Sequence, residues 1–183
     1  MKQGAVHQCA TQLAERLNRE NIPYAIAGAM ALGAHGYERT TADVDLLITR
    51  DGLDRFKRAY LGRGYVDKFP GSKGMRDTAT GVAIDVVLAG DFPGDGLPKP
   101  VAFPDPESAS VQGDRFRILT LPKLIELKLA SGMTAPHRLR DLADVLELIR
   151  AAQVPRKLAD VLDPYVRAKF LELWEAAQAI ELE

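Results

Sequence analysis

The sequence is short of most things that would tie it to a secreted or membrane class. It has a single cysteine, Cys9, so no intramolecular disulfide framework can be drawn. Among its three histidines, His35 and His137 have no second histidine or cysteine at ligand spacing, which leaves neither supported as a zinc ligand. No apolar run approaches the ~20 residues a membrane span needs. The opening Met1 to Cys9 lacks the continuous apolar stretch of a secretory signal, so residue 1 is expected to begin the working protein and the chain to be cytoplasmic, with no membrane partner. Neither sign of charge dominates: 24 basic residues against 25 acidic ones leave a net charge of -1. That balance argues against a DNA-coating protein, yet leaves room for a local basic cleft that meets phosphate or the end of an RNA. Repeats and low-complexity tracts are also missing.

What is present reads as an α/β unit followed by helices. Val6, Cys9, Ala10, Leu13 and Leu17 recur at helical spacing and stop at Asn21-Ile22-Pro23, where proline closes a helix. Tyr24 to Ala27, Gly28, and the small residues from Ala29 to His35 predict strand, glycine turn and helix. Asp43 to Ile48 predicts a strand, and Asp51 with Asp54 is expected to open a helix carrying Leu53, Phe56 and Tyr60, stopped by Gly62 and Gly64. Tyr65 to Phe69 and Val82 to Leu88 are two more strands, with Gly71-Ser72-Lys73-Gly74 between them expected as a mobile loop. Gly90 to Gly113 holds five of the eleven prolines and no sustained period, which marks a connector. After Phe116 to Leu119 the chain reads as helical: Thr120 to Ser131, Pro136 to Gln153, Pro155 to Leu162, and Pro164 onward. The expected organisation is an α/β core over 1–90, a connector over 91–114 and a helical part over 115–183 that completes a cleft.

The chemistry sits on acids in apolar strands. Alternate side chains of a strand share a face, so Asp43 and Asp45 point the same way, ~7 Å apart at their Cα atoms. Carboxylates that close repel unless a cation or a shared proton lies between them, and magnesium or manganese meets that need. The plain alternative is that Asp43 turns the chain and Asp45 is solvated on an open face. Asp85 interrupts Val82-Ala83-Ile84-Asp85-Val86-Val87-Leu88, a run with apolar residues on both faces, so it should be partnered by a metal, an arginine or a lysine. Gly28 opens a helix whose free N–H groups favour a phosphate, or simply makes a tight strand-to-helix connection. Lys128 shares one helix face with Leu121, Leu124 and Ile125. It either snorkels to the surface or reaches an acid or a phosphate. In the second case alanine in its place is expected to weaken triphosphate binding and to leave folding intact. Arg39, just before the carboxylate strand, faces leaving pyrophosphate or is a solvated loop residue, and Trp174 is expected in a C-terminal core.

In order and spacing, Ala27-Gly28-Ala29, Thr40 to Ile48 around Asp43 and Asp45, and Ile84-Asp85-Val86-Val87 resemble the motif set of the nucleotidyltransferase superfamily. Over roughly residues 5 to 150 the chain is most similar to the small bacterial abortive-infection toxin nucleotidyltransferases, in which a lysine followed by an Arg-Asp-Leu-x-Asp segment is characteristic. Lys128 with Arg140-Asp141-Leu142-Ala143-Asp144 matches it. The resemblance implies a nucleotidyltransferase-like mixed sheet flanked by helices, with Asp43, Asp45 and Asp85 binding magnesium. It also implies triphosphate held at Gly28 and Ala29, Lys128 facing that triphosphate and Asp141 positioning it or acting as a base. The family usually has serine or glycine after the turn glycine; Ala29 stands there, so backbone donors would have to suffice.

The expected activity is metal-dependent transfer of a nucleotidyl group from a nucleoside triphosphate to a hydroxyl by in-line attack on the α-phosphate. The acceptor is a tRNA 3′ end, a protein or a small molecule, and the resemblance allows the toxin of a toxin-antitoxin pair with a cognate antitoxin. Two rivals stand beside it: a non-catalytic nucleotide-binding regulator or antitoxin partner, favoured by Ala29, and an antibiotic-type small-molecule nucleotidyltransferase.

Overall fold

The computed structural model describes residues 2–179. Helix α1 (Lys2–Arg19) buries Val6, Cys9, Ala10, Leu13 and Leu17 along one face, and complete burial of each leucine contributes about 2 kcal/mol. It ends where Asn21 takes a positive φ of 51° and the Ile22 amide donates to the Leu17 carbonyl at 2.9 Å. Strand β1 (Tyr24–Ile26) is buried throughout, helix α2 (Gly28–Ala34) follows directly, and strand β2 spans Asp43–Ile48. The strand, glycine turn and helix expected from the sequence are therefore present.

Helix α3 (Arg50–Tyr60) corrects one expectation. Its cap is Thr49, whose hydroxyl accepts from the Gly52 amide at 3.0 Å, whereas Asp51 lies inside the first turn. Strands β3 (Tyr65–Asp67), β4 (Met75–Asp77) and β5 (Ala83–Leu88) come next. The stretch from Gly71 to Gly74, expected as a mobile loop, is the hydrogen-bonded turn of the β3–β4 hairpin. Ser72 is buried and accepts from the Gly74 amide at 3.0 Å, and Lys57 of α3 donates both to the Ser72 carbonyl and to Asp67. Strand β4 has no apolar period in the sequence; Met75 and Asp77 are buried by their neighbours, with Asp77 accepting from Ala79 and Thr80 to close the turn before β5.

Strands β6 (Ser110–Gln112) and β7 (Arg117–Leu119) complete a seven-stranded sheet of order β3-β4-β5-β2-β1-β7-β6. The β2–β5 and β1–β7 pairs are parallel and the remainder antiparallel. β6 lies within 91–114 and β7 within 115–183, so both segments contribute to the sheet as well as to what surrounds it.

Helices α4 (Leu121–Thr134), α5 (Leu139–Ala151) and α6 (Pro164–Ala179) pack on one another, linked by short 3₁₀ segments at Pro136–Arg138 and Arg156–Val161. Trp174 packs against the core and donates to the Val154 carbonyl at 2.8 Å. One continuous apolar core joins the sheet to these helices. The architecture is a mixed α/β sheet with C-terminal helices, as expected. Among the described residues no helix is long and apolar enough to cross a membrane.

Candidate active site

The parallel pairing of β2 with β5 sets Asp45 directly opposite Asp85, so their side chains leave the same face of the sheet on adjacent strands. Asp43 stands two residues before Asp45 on that face, at a strand start shaped by Thr41, whose hydroxyl donates to the Asp43 carbonyl at 3.1 Å. Gly28 has a φ of +58°, and a Cβ there would lie 1.8 Å from Oδ2 of Asp45. A glycine is required for two reasons at once: the left-handed backbone and the close approach of the carboxylate. The Ala27 amide donates to the Asp45 carbonyl at 2.9 Å, locking the turn to the strand. The first intrahelical bond of α2 runs from the Ala31 amide to the Ala27 carbonyl, which places the N–H groups of Gly28, Ala29 and Met30 ahead of the hydrogen-bonded ladder.

Burial pushes the Asp45 carboxyl up to about 6, with Asp85 and Asp43 adding to the rise and Lys128 and Arg138 opposing it. Asp85 has a lysine partner, one of those its sequence allowed, but it is not buried. Its side chain is 45% exposed, and its partner is Lys68, whose Nζ lies 2.5 Å from Oδ1. The apolar run around it gave no sign of that opening, because the exposed face depends on where the hairpin ends.

Lys128 occupies the opposite wall. It is buried, and neither snorkels nor projects freely: Nζ donates to Asp141 at 3.0 Å and to Asp144 at 2.8 Å. Asp141 also accepts from Ser131 at 2.7 Å and from Arg138 at 2.9 Å. Burial alone would raise the Asp141 carboxyl, but Lys128, Ser131 and Arg138 together hold it below the ordinary carboxylate range. Asp144 is only 2% exposed, and Arg39 approaches it as well, at 3.2 Å. Arg39 is thus an ion-paired residue rather than a freely solvated loop side chain. The expectation that alanine at 128 leaves folding intact fails on this geometry, since two buried carboxylates would lose the cation they share.

Between these walls lies a cleft of about 480 Å³, within the range of small-molecule sites. Gly28, Asp43 and Asp45 line one side, and Arg39, Lys128, Arg138 and Arg140 the other. Ala29 lies instead on a second cavity of about 500 Å³ beyond α2, which shares Arg39 and Thr41 with the cleft. Lys68 and Ser131 had no place in the sequence reading of the site, and Arg138 entered it only as a plain helix-surface partner of Asp141, at i,i+3.

Among the described residues, no three His, Cys, Asp or Glu side chains converge closely enough to hold a metal ion unaided. The donor set still suits magnesium, which binds through one or two carboxylates and takes its other ligands from water and substrate phosphates. The raised Asp45 carboxyl, crowded by two neighbouring acids, marks a spot short of positive charge.

No protein-family model matches the chain, and no curated protein matches it either. Solved structures do. The solution structure of the antibiotic-resistance factor ANT(2'')-Ia aligns with a TM-score of 0.58 over 99% of this chain and 98% of that one, at 14% identity. The crystal structure of ANT(2'')-Ia in complex with adenylyl-2''-tobramycin gives 0.57 over 93% and 98%, at 13% identity. A candidate nucleotidyltransferase from Thermotoga maritima gives 0.55 over 80% and 95%, at 15% identity. With its mixed sheet, its aspartates on paired strands and these likenesses, the chain has the nucleotidyltransferase fold.

Proposed function

We propose that the chain is a metal-dependent nucleotidyltransferase that moves a nucleotidyl group from a nucleoside triphosphate to a hydroxyl. The observation that carries this reading is the facing of Asp45 and Asp85 across β2 and β5, with Gly28 against Asp45 and a cationic wall across the cleft. In this reading 1–90 supplies the carboxylates and Arg39, 115–183 the rest of the cationic wall, and 91–114 joins them. It works in the cytoplasm, where triphosphates are made and used.

Asp43 and Asp45, with Asp85 as third acid, would hold magnesium or manganese, which when bound supplies charge stabilisation to the attacking and leaving oxygens. The N–H groups at Gly28 and Ala29 would hold the triphosphate without help from a side-chain hydroxyl. Arg39 and Arg138 face developing negative charge on the leaving pyrophosphate, while Asp144 and Asp141 keep them in place. Lys128 contributes charge to the cleft from behind Asp141, so its part is to position that acid and to raise the local potential.

For the acceptor, ANT(2'')-Ia was captured with an adenylylated tobramycin, which favours a small-molecule hydroxyl; a tRNA 3′ end, as for a toxin held by an antitoxin, is the other arm. A second reading, a nucleotide-binding regulator without turnover, rests on Ala29 at the turn. The test is incorporation of labelled triphosphates into total RNA, into protein and into aminoglycosides, with Asp45→Asn as control. Label in one acceptor class that vanishes in the variant supports transfer. Triphosphate binding with no label in any class supports the regulator.

A further inference from the structure

Among the described residues, Lys68 is the one cation hydrogen-bonded to Asp43, Asp45 or Asp85, and its placement is built rather than incidental. Its backbone amide donates to the Gly74 carbonyl at 3.1 Å across the hairpin, and its stem runs over Gly74, where a Cβ would sit 2.6 Å from the lysine Cδ. Glycine at 74 therefore opens the path by which a lysine of β3's end crosses β4 to reach Asp85 on β5. The turn that carries it is clamped from below by Lys57, through Asp67 and the Ser72 carbonyl. The pair itself is wet: the lysine side chain is 31% exposed and the aspartate 45%. Ion pairs this open contribute little and exchange readily.

We propose that Lys68 is a resident counter-cation at Asp85, which competes with a divalent metal ion for Asp85 as its third acid. The proposal rests on the metal-binding reading of Asp43, Asp45 and Asp85. Its physical basis is that the ammonium group holds Oδ1 of Asp85 at 2.5 Å and sets a positive charge beside the place where a divalent ion would bind, so pair and ion compete for the same acid. Lys68 thereby offsets one charge of the acid pair when no metal is present and lowers metal affinity. Metal then enters most readily together with a triphosphate, whose phosphates bring further ligands and a new partner for the released ammonium.

The experiment is a titration with Mn²⁺ alone, followed by electron paramagnetic resonance of the free ion, on the full chain. Lys68→Met should tighten Mn²⁺ binding about three- to tenfold, through loss of a competing pair and of one repelling charge. Lys68→Arg, which keeps the charge, should bind as the wild type does and shows that the hairpin still folds. Lys68→Met combined with Asp85→Asn should bind no more tightly than Asp85→Asn. If Lys68→Met binds Mn²⁺ equally or more weakly while Asp45→Asn loses the ion, the counter-cation role is overturned and the metal site stands. If Asp45→Asn binds as the wild type does, the metal site and the counter-cation role fall together.

Discussion

Two groups of carboxylates reach one cleft, through Asp43 and Asp45 on the sheet and Asp141 on α5, and they live in opposite electrostatic circumstances. On the sheet, Asp43, Asp45 and Asp85 share a face with one hydrogen-bonded cation among the described residues, Lys68 on Asp85, and the Asp45 carboxyl is pushed up to about 6 by burial and by its neighbours. On α5, Asp141 and Asp144 are more deeply buried, yet Lys128, Arg138 and Arg39 surround them, and Asp141 is held below the ordinary range despite its burial. Burial raises the carboxyls of both Asp45 and Asp141, and cations and hydrogen bonds overcome that rise only at Asp141. A satisfied acid cluster supports structure, whereas an undersupplied one is a place to receive charge from outside.

The contrast can be broken most severely at Lys128. Lys128→Ala should lower folding stability by about 3–5 kcal/mol, because two buried carboxylates lose their shared partner. Urea unfolding measures it, and a loss under 1 kcal/mol would show that the helix cluster is not a structural unit. Next is Gly28→Ala, which combines a left-handed backbone with a methyl driven into Asp45. A loss of about 2–4 kcal/mol is expected, along with loss of triphosphate binding by calorimetry.

The two clusters should also answer acid in opposite senses. A carboxyl raised in the folded state contributes stability below its unfolded value near 3.8, and that contribution is lost as pH rises to about 6. Asp45→Asn should then stabilise the metal-free protein by about 1–3 kcal/mol at pH 8 and by little at pH 4. Equal effects at both pH values would show that Asp45 is not a strained acid. The lowered Asp141 behaves the other way, its contribution present above the unfolded value and lost as pH falls below it. The smallest effect belongs to Asp85→Asn, whose pair with Lys68 is open to water. Its melting temperature should stay within a degree or two of the wild type, a change of well under 1 kcal/mol. Easy unfolding of that variant would restore the buried ion pair that the sequence had suggested.

Local pattern made much of this molecule legible. The period of Val6 to Leu17, the glycine after Tyr24-Ala25-Ile26-Ala27, and acids at alternate positions of an apolar strand each report a constraint that acts within a few residues. The short strands β4 and β6 escaped, since three residues cannot display a period and their pairing energy comes from distant partners. Lys68 escaped for the same reason: nothing near it in sequence says that the hairpin will carry it over Gly74 to Asp85. Lys128 was noticed as a charge on an apolar face, but whether it met acid or phosphate depended on where α5 lay.

The sequence by itself determined which face of β2 bears Asp43 and Asp45, because side chains alternate along any strand, and it determined that residue 28 must be a residue tolerant of positive φ. Only the tertiary structure decided which acids would be left short of cations. Charge balance at a point is set by every group that the fold brings near it, and Lys68, Arg39 and Lys128 reach their acids from 17, 105 and 13 to 16 residues away along the chain.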